Sequence, residues 1–294
     1  MPPSPVVAAA SSYPLTERIQ QFYDESSSLW EQVWGEHMHH GYYGIDGHAA
    51  VESPQAAQRE LIEEILRWSH VDTPQSILDV GCGIGGSTLY LASKYRATAT
   101  GITLSPVQAA RGEARAKTVG LGDHVDFQVA DALAMPFADN SFELVWSLES
   151  GEHMPDKEQF LQECCRVLKP GGKLIIVTWC HRSPQPPITV AEQWHLEQIY
   201  KLYHLPYVIS LGDYAEMAEA LPLTDLKTAD WSQAVAPFWP DVAKSALNPQ
   251  VLWGIATSGW QTVEGAMAIP LMMTGYAMGL IRYGLLTGTK AIEN

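Results

Sequence analysis

The chain has 294 residues, enough for one large domain or a core with a cap, and 46% of them are hydrophobic, so a sizeable core can be buried. Lys and Arg number 18 against 33 Asp and Glu, a formal net charge of −15; a surface this acidic repels phosphate backbones, which excludes nucleic acid and broad electrostatic attachment to anionic lipid, though not apolar docking. The four cysteines, Cys82, Cys164, Cys165 and Cys180, form no Cys-x-x-Cys pair and no disulfide framework, and read as reduced thiols of a cytosolic-type compartment.

Met1 to Pro14 is Pro, Ala and Ser with no basic residue, unlike a signal or transit peptide, and reads as a disordered tail. From Leu15 to Trp34, Ile19, Phe22, Tyr23, Leu29, Trp30, Val33 and Trp34 recur at spacings of three and four, which predicts an amphipathic helix. Gly35 to Gly44 then carries His37, His39, His40, Tyr42 and Tyr43 between glycines. Three histidines invite a zinc reading, but no further Cys/His cluster completes a ligand set, so no metal is expected. The loop reads either as packed aromatic structure or as a lid whose histidines donate hydrogen bonds. Ser53 and Pro54 cap a helix to about Ser69 with Leu61, Ile62, Ile65, Leu66 and Trp68 on its apolar face. Residues 15–74 thus form a helical N-terminal lid ahead of a core over 75–182.

That core begins with Ile77-Leu78-Asp79-Val80-Gly81-Cys82-Gly83-Ile84-Gly85-Gly86, an apolar run ending in an acid and a glycine cluster before a helical Ser87 to Ala92. Glycine lets the backbone turn sharply and lets a ligand approach it. The helix N-terminus behind the turn offers unpaired N–H groups to an anionic or carboxylate-bearing ligand. A dinucleotide site wants an acid at the end of the second strand. Here that strand, Ala97 to Ile102, runs into Thr103-Leu104-Ser105-Pro106 with no carboxylate, which favours S-adenosylmethionine over nicotinamide.

Strand and helix then alternate: a helix from Ser105-Pro106 to Thr118, strands at Val125–Val129 and Phe142–Trp146, a helix over Lys157–Leu168 closed by Lys169-Pro170-Gly171-Gly172, and a strand at Leu174–Thr178. This pattern predicts a parallel, doubly wound sheet with its ligands at the carboxyl ends of the strands. Over 183–294, insertions rich in Pro, Tyr, Trp and Met, including Phe238, Trp239, Trp253, Trp260, Met267, Met272 and Met273, alternate with strands at Leu226–Trp231 and Leu280–Thr287, a helical cap with the last core strands. Gly265 to Ile281 is uncharged but short for a spanning segment and contains Pro270, so it reads as a cap helix, either plain packing or a greasy flank toward a membrane surface.

Three segments in order, Leu78 to Gly83, Asp131-Ala132 with Pro136-Phe137 and Ser141-Phe142-Glu143, and Arg166 to Gly172, resemble the class I S-adenosylmethionine-dependent methyltransferases. That resemblance implies a Rossmann-like seven-stranded α/β sheet with a mostly helical cap. Trp30-Glu31, Trp34 to Tyr43, Ser147 to Met154, Thr178 to Arg182 and Gly284 to Gly288 narrow it, and are similar to the gamma-tocopherol C-methyltransferase family in its cyanobacterial form. The resemblance, nearly whole-chain from Leu15, implies methyl transfer from S-adenosylmethionine to a chromanol ring carbon, gamma- to alpha-tocopherol or delta- to beta-tocopherol. It implies a small lipophilic phenol as partner, and a cytoplasmic protein peripheral to an internal, thylakoid-type membrane. Plant alkaloid N-methyltransferases resemble the same group. The alternatives are therefore an N-methyltransferase of a small amine and a non-catalytic protein that binds S-adenosylmethionine or lipid. The oligomeric state is not set by the sequence.

The same resemblance implies site residues. Gly81, Gly83 and Gly85 pass the methionine moiety, and Asp79 anchors its ammonium or caps the turn. Thr103, Leu104 and Gln108 match positions that contact the ribose and methionine end in cyclopropane synthases, although Gln108 reads equally as a first-turn surface residue. Asp131 accepts from the adenine amino group, or caps a helix, with Ala132 beside the ring. Leu148 lies near the sulfonium, and His39 and His40 close the site. A phenol has a pKa of about 10, so a base helps its ring carbon to attack. The candidates are His153 and Glu149, then Glu152. The alternatives are that Glu149 packs against a lid histidine and His153 holds the cofactor carboxylate. Trp179, Tyr207 and Trp231 are expected to line the acceptor pocket.

Overall fold

The computed structural model describes residues 15–246 and 260–292. The tail expected over Met1–Pro14 and the insertion's Trp253 lie outside the described residues.

Helix α1 spans Leu15–Trp34 and α2 Pro54–Ser69. The α2 start is set by Ser53, whose side chain accepts from the Ala56 N–H, and its end by His70 in the left-handed conformation. Then follow β1 (Ser76–Val80), α3 (Gly86–Tyr95), β2 (Thr98–Thr103), α4 (Pro106–Thr118), β3 (Val125–Val129), β4 (Phe142–Leu148), a single 3₁₀ turn (Gly151–His153), α5 (Lys157–Val167) and β5 (Leu168–His181). The cap and final strands are α6 (Val190–Leu202), α7 (Leu211–Glu219), β6 (Leu223–Asp230), α8 (Ser232–Val235), α9 (Phe238–Ala246), α10 (Trp260–Ala277) and β7 (Ile281–Lys290).

The strands form one seven-stranded sheet in the order β3-β2-β1-β4-β5-β7-β6. Strands β1 to β5 are parallel, whereas β7 runs antiparallel to β5 and β6. The sheet is therefore mixed, not wholly parallel as the alternation predicts. Successive residues point to opposite faces. Ile77, Leu144, Trp146, Ile175 and Val177 share a core cluster with Leu61, Ile65 and Leu66 of α2. Leu78, Val145, Leu174 and Ile176 join Phe160 and Leu161 of α5 and Tyr214 of α7 in the other. Both faces are covered, which is why the central strands read as continuous apolar runs.

Two boundaries differ from expectation. Strand β5 begins at Leu168, because Lys169 to Gly172 continues as a bulged extension: the register against β4 jumps from Phe142↔Leu168 to Leu144↔Lys173, with Gly171 at φ +76°. And α2 belongs to the sheet's packing; only α1 and residues 36–40 of the expected 15–74 lid reach the chamber described below. The cap is tied together where His195 of α6 meets the Leu271 carbonyl of α10 through Nε2 at 2.9 Å. Among the described residues, no helix is long and apolar enough to cross a membrane.

Gly85 caps α3 at φ +86°, and a Cβ there would lie 2.5 Å from the Phe127 ring. Gly120 has φ +76° with nothing within 4 Å. Gly85→Ala should therefore cost about 2–4 kcal/mol, a backbone penalty plus overpacking, and Gly120→Ala only about 1–2 kcal/mol. Urea unfolding measures both; a larger loss at Gly120 would contradict this packing.

Candidate active site

Side chains and turns from the carboxyl ends of β1, β2, β4 and β5 converge on one chamber, roofed by α1, the loop after it, α9 and α10. At its polar end, Asp79 is buried and accepts from Thr88 Oγ1 at 2.6 Å. Burial pushes its carboxyl up to about 7, against the hydrogen bonds from Thr88. Gly81 and Gly83 follow at φ +81° and +53°. A Cβ on Gly81 would strike Ser150 Cβ at 2.2 Å, whereas one on Gly83 would project into space with only Met38 Sδ, at 3.9 Å, near it. Such a cradle beside a buried carboxyl that favours a cationic partner fits the amino-acid end of S-adenosylmethionine. Thr103, Leu104 and Gln108 line the same end, with Thr103 Oγ1 donating to Gln108 Oε1 at 2.8 Å. These residues would hold the methionine and ribose portions.

The roof is sewn on by polar contacts. Gln108 Nε2 donates to Ser27 Oγ at 3.2 Å, Ser105 Oγ to Asp24, and Arg111 to Glu31, which fastens α1 to α4. The loop sits on the start of α3, where a Cβ on Gly86 would lie 2.2 Å from the Glu36 carbonyl. Gln58 of α2 donates to the carbonyls of His37 and His39, both at 2.9 Å. His37 and His39 face each other, Nδ1 to Nε2 at 3.2 Å. Among the described residues, no three His, Cys, Asp or Glu side chains are grouped to hold a metal ion.

Glu149 follows β4 at φ +54°. Its carboxylate accepts from the His40 N–H at 2.7 Å, Tyr283 Oη at 2.8 Å and Trp179 Nε1 at 3.3 Å, and pairs with His40 Nδ1 at 2.9 Å. Burial raises its pKa, but the attraction of His40 and its hydrogen bonds outweigh this and hold the carboxyl below its ordinary range. A carboxylate so satisfied is a clamp and a poor base, which corrects the assignment of Glu149 to proton transfer and favours its packing on a lid histidine.

Glu152 and His153 extend from the 3₁₀ turn into the chamber lining. Glu152 is buried, accepts from Thr178 Oγ1 at 2.7 Å, and is pushed up to about 7 by burial and by the charge of Glu149. His153 is drawn down to about 3 by burial and by the charges of Lys157 and His204. Its Nε2 meets the hydroxyl of Tyr23, on α1, at 2.8 Å, while the buried Nδ1 has no partner. Tyr23 escapes a sequence reading because it is one of many apolar positions on an amphipathic helix.

The far end is aromatic and aliphatic: Leu148, Met154, Trp179, Tyr203, Phe238, Trp239, Val242 and Ile269. Four sequence assignments fall outside this lining, and a fifth moves from cradle to packing. Tyr207 is 38% exposed and its hydroxyl donates to the Pro155 carbonyl. Trp231 is buried against Tyr42 and Trp68, behind the loop. The Asp131 carboxylate accepts from the Leu133 N–H, closing a turn, and Ala132 is packed in the second core cluster. Gly85 faces Phe127 and not the cradle. The remaining expected residues, Asp79, Gly81, Gly83, Thr103, Leu104, Gln108, Leu148, His39, His40 and Trp179, all line the chamber.

The profile described as "Methyltransferase domain" matches residues 78–176. "Probable tocopherol O-methyltransferase, chloroplastic" of Oryza sativa subsp. japonica is 52% identical over 94% of this chain and 78% of its own length. "Tocopherol O-methyltransferase, chloroplastic" of Arabidopsis thaliana is 46% identical over 97% of this chain and 85% of its own. A geranyl diphosphate C-methyltransferase from Streptomyces coelicolor A3(2), solved with Mg2+, geranyl diphosphate and S-adenosyl-L-homocysteine, superposes with a TM-score of 0.74 at 22% identity, covering 96% of this chain and 100% of that one; the likeness there is one of fold. The chain belongs to the tocopherol O-methyltransferase family of S-adenosylmethionine-dependent class I methyltransferases.

Proposed function

We propose that the protein methylates a chromanol ring carbon beside a phenolic hydroxyl, converting gamma- into alpha-tocopherol and delta- into beta-tocopherol. One observation carries this reading: the chamber joins a polar, glycine-lined end to an aromatic and aliphatic end, with two proton-handling side chains on the turn beside them. An oil-soluble phenol suits such walls. A phosphorylated acceptor does not, because no Lys or Arg is among the described lining residues. The names of the similar plant proteins support the same substrate class. A small amine is the second reading, since Glu152 close to aromatic rings also suits an ammonium.

Bound S-adenosylmethionine supplies a sulfonium methyl group open to in-line displacement. The protein's part is to hold the acceptor in line and to make its ring electron-rich. Glu152, with its carboxyl near 7, takes the phenolic proton at neutral pH. His153 stays neutral there. With Tyr23 donating to Nε2, the imidazole keeps its proton on Nδ1 and offers that N–H as a hydrogen bond to the phenolate oxygen. The aryl–methyl bond forms as the sulfur–methyl bond breaks, the displaced ring hydrogen leaves as a proton to water, and the proton held by Glu152 is free to return to the oxygen. Because Tyr23 comes from α1, the roof completes this arrangement and excludes water at once.

The product decides between ring and oxygen transfer. With gamma-tocopherol we expect S-adenosylhomocysteine together with a product that keeps its free phenol and gains an aryl methyl signal by NMR; a methoxy signal, or turnover with an alkaloid amine alone, would overturn the reading. Glu152→Gln should lower kcat by about 100-fold while S-adenosylhomocysteine affinity stays within about threefold. The base must be ionised, so wild-type kcat/KM for the acceptor should rise with pH through about 7, a limb absent in Glu152→Gln. Glu149→Gln should instead lower unfolding free energy by about 3 kcal/mol and raise the cofactor KM. Lost turnover with unchanged urea stability would return Glu149 to the chemistry.

A further inference from the structure

One buried cation beside the chamber has no carboxylate paired with it among the described residues. Lys157, at the start of α5, is 1% exposed. Its Nζ donates to three backbone carbonyls: Gly151 at 2.9 Å, Glu152 at 3.0 Å and Met154 at 2.7 Å. Three acceptors need three N–H bonds, which the ammonium has and the free amine lacks. Burying a charge is costly unless it is met in this way, and helix α5 does not require it. Asp156 already caps that helix, accepting from the Gln159 N–H at 2.9 Å. The shared feature of the three carbonyls is the segment Gly151 to Met154. It holds a single 3₁₀ turn, a geometry with little stability of its own, and it carries Glu152 and His153. Two tyrosines close over the same segment. The Tyr207 ring lies 4.9 Å from Nζ, and Tyr214 Oη donates to the Gly151 carbonyl at 3.4 Å.

We propose that Lys157 is a positioning residue for methyl transfer: by gathering three carbonyls of one turn on a single ammonium, it sets the direction in which Glu152 and His153 meet the acceptor. The proposal rests on the roles given to those two side chains above. The titratable and charged groups around the amine are Glu152 and His153 on the turn, Asp156 before α5, Cys180 on β5, and Tyr207 and Tyr214. Burial pushes the amine down to about 7, opposed by Glu152, and its positive charge in turn favours the ionised form of Glu152. Its own proton loss as pH rises further removes one of the three N–H bonds, so the wild-type rise is followed by a falling limb that both Lys157 variants lack.

The test compares full-length wild type, Lys157→Met and Lys157→Gln, using whichever acceptor the wild type methylates. Lys157→Met should lower kcat by about 30-fold or more, leave the cofactor KM within about threefold, and move the rising pH limb up by about half a unit, because a cation beside the base is gone. A Met variant with wild-type kcat overturns the proposal. So does one in which melting temperature, cofactor KM and kcat all worsen while the limb stays put, the signature of a merely structural lysine. If Lys157→Met does not fold, Lys157→Gln decides: with two N–H bonds it should lose about tenfold in kcat and raise the limb, and wild-type turnover there overturns the idea. A wild type that forms no S-adenosylhomocysteine with phenol or amine sinks the functional reading and this proposal together; an active wild type with active variants sinks this proposal alone.

Discussion

The Glu149 carboxylate is the interaction on which the chamber depends. It sits just past β4, in a left-handed backbone conformation, and collects donors from the roof loop, from β5 and from β7. Those donors are separated from it by 109, 30 and 134 residues along the chain. One buried anion therefore holds the roof, the sheet and the aromatic wall in register. Its hydrogen bonds are charge-assisted, the stronger kind, and breaking any partner would leave a buried charge short of donors. His40 stands at the centre of this arrangement, with the rings of Phe238, Tyr283, Trp239 and Trp179 at 4.6, 5.1, 5.2 and 5.9 Å. The lid is thus an extension of the core's packing.

Two nearby carboxyls then acquire opposite characters. Glu149 is held ionised by its donors, and that fixed charge, together with burial, raises Glu152. Environments that push paired acids apart assign their roles. The clamp stays an anion, and its neighbour becomes a group able to exchange a proton near neutrality. Asp79, at the other end, is also raised by burial, so a cation entering the cradle would find a carboxyl that gains from its arrival. The chamber thus holds two buried carboxyls, Asp79 and Glu152, each raised to about 7 by burial.

A shared fold does not carry a shared substrate. The two chains share a fold at 22% identity, and no Lys or Arg is among the described residues that line this chamber.

Local signals sufficed for much of this protein. The glycine turn, the strand–helix alternation, the Ser53 and Ser105 caps and the apolar face of α2 are encoded within a few residues each, and period and capping chemistry make them readable. Residues tied to the glycine turn and the second strand's end, such as Gly83, Thr103 and Gln108, line the chamber because the topology leaves strand ends no other place. Tertiary packing decided the rest. Tyr207 and Trp231 have the composition of pocket residues, but one lies on the outer side of the Gly151–Met154 turn and the other behind the loop. One Asp131 carboxylate oxygen accepts from the Leu133 N–H and the residue lies outside the described lining, while Gly85 makes room for Phe127. The reversal of β7, the clamp role of Glu149 and the pairing of Tyr23 with His153 join parts of the chain more than a hundred residues apart. No local pattern records such contacts, because the same side chain at the same spacing is a base, a clamp or a surface residue according to what the fold brings against it.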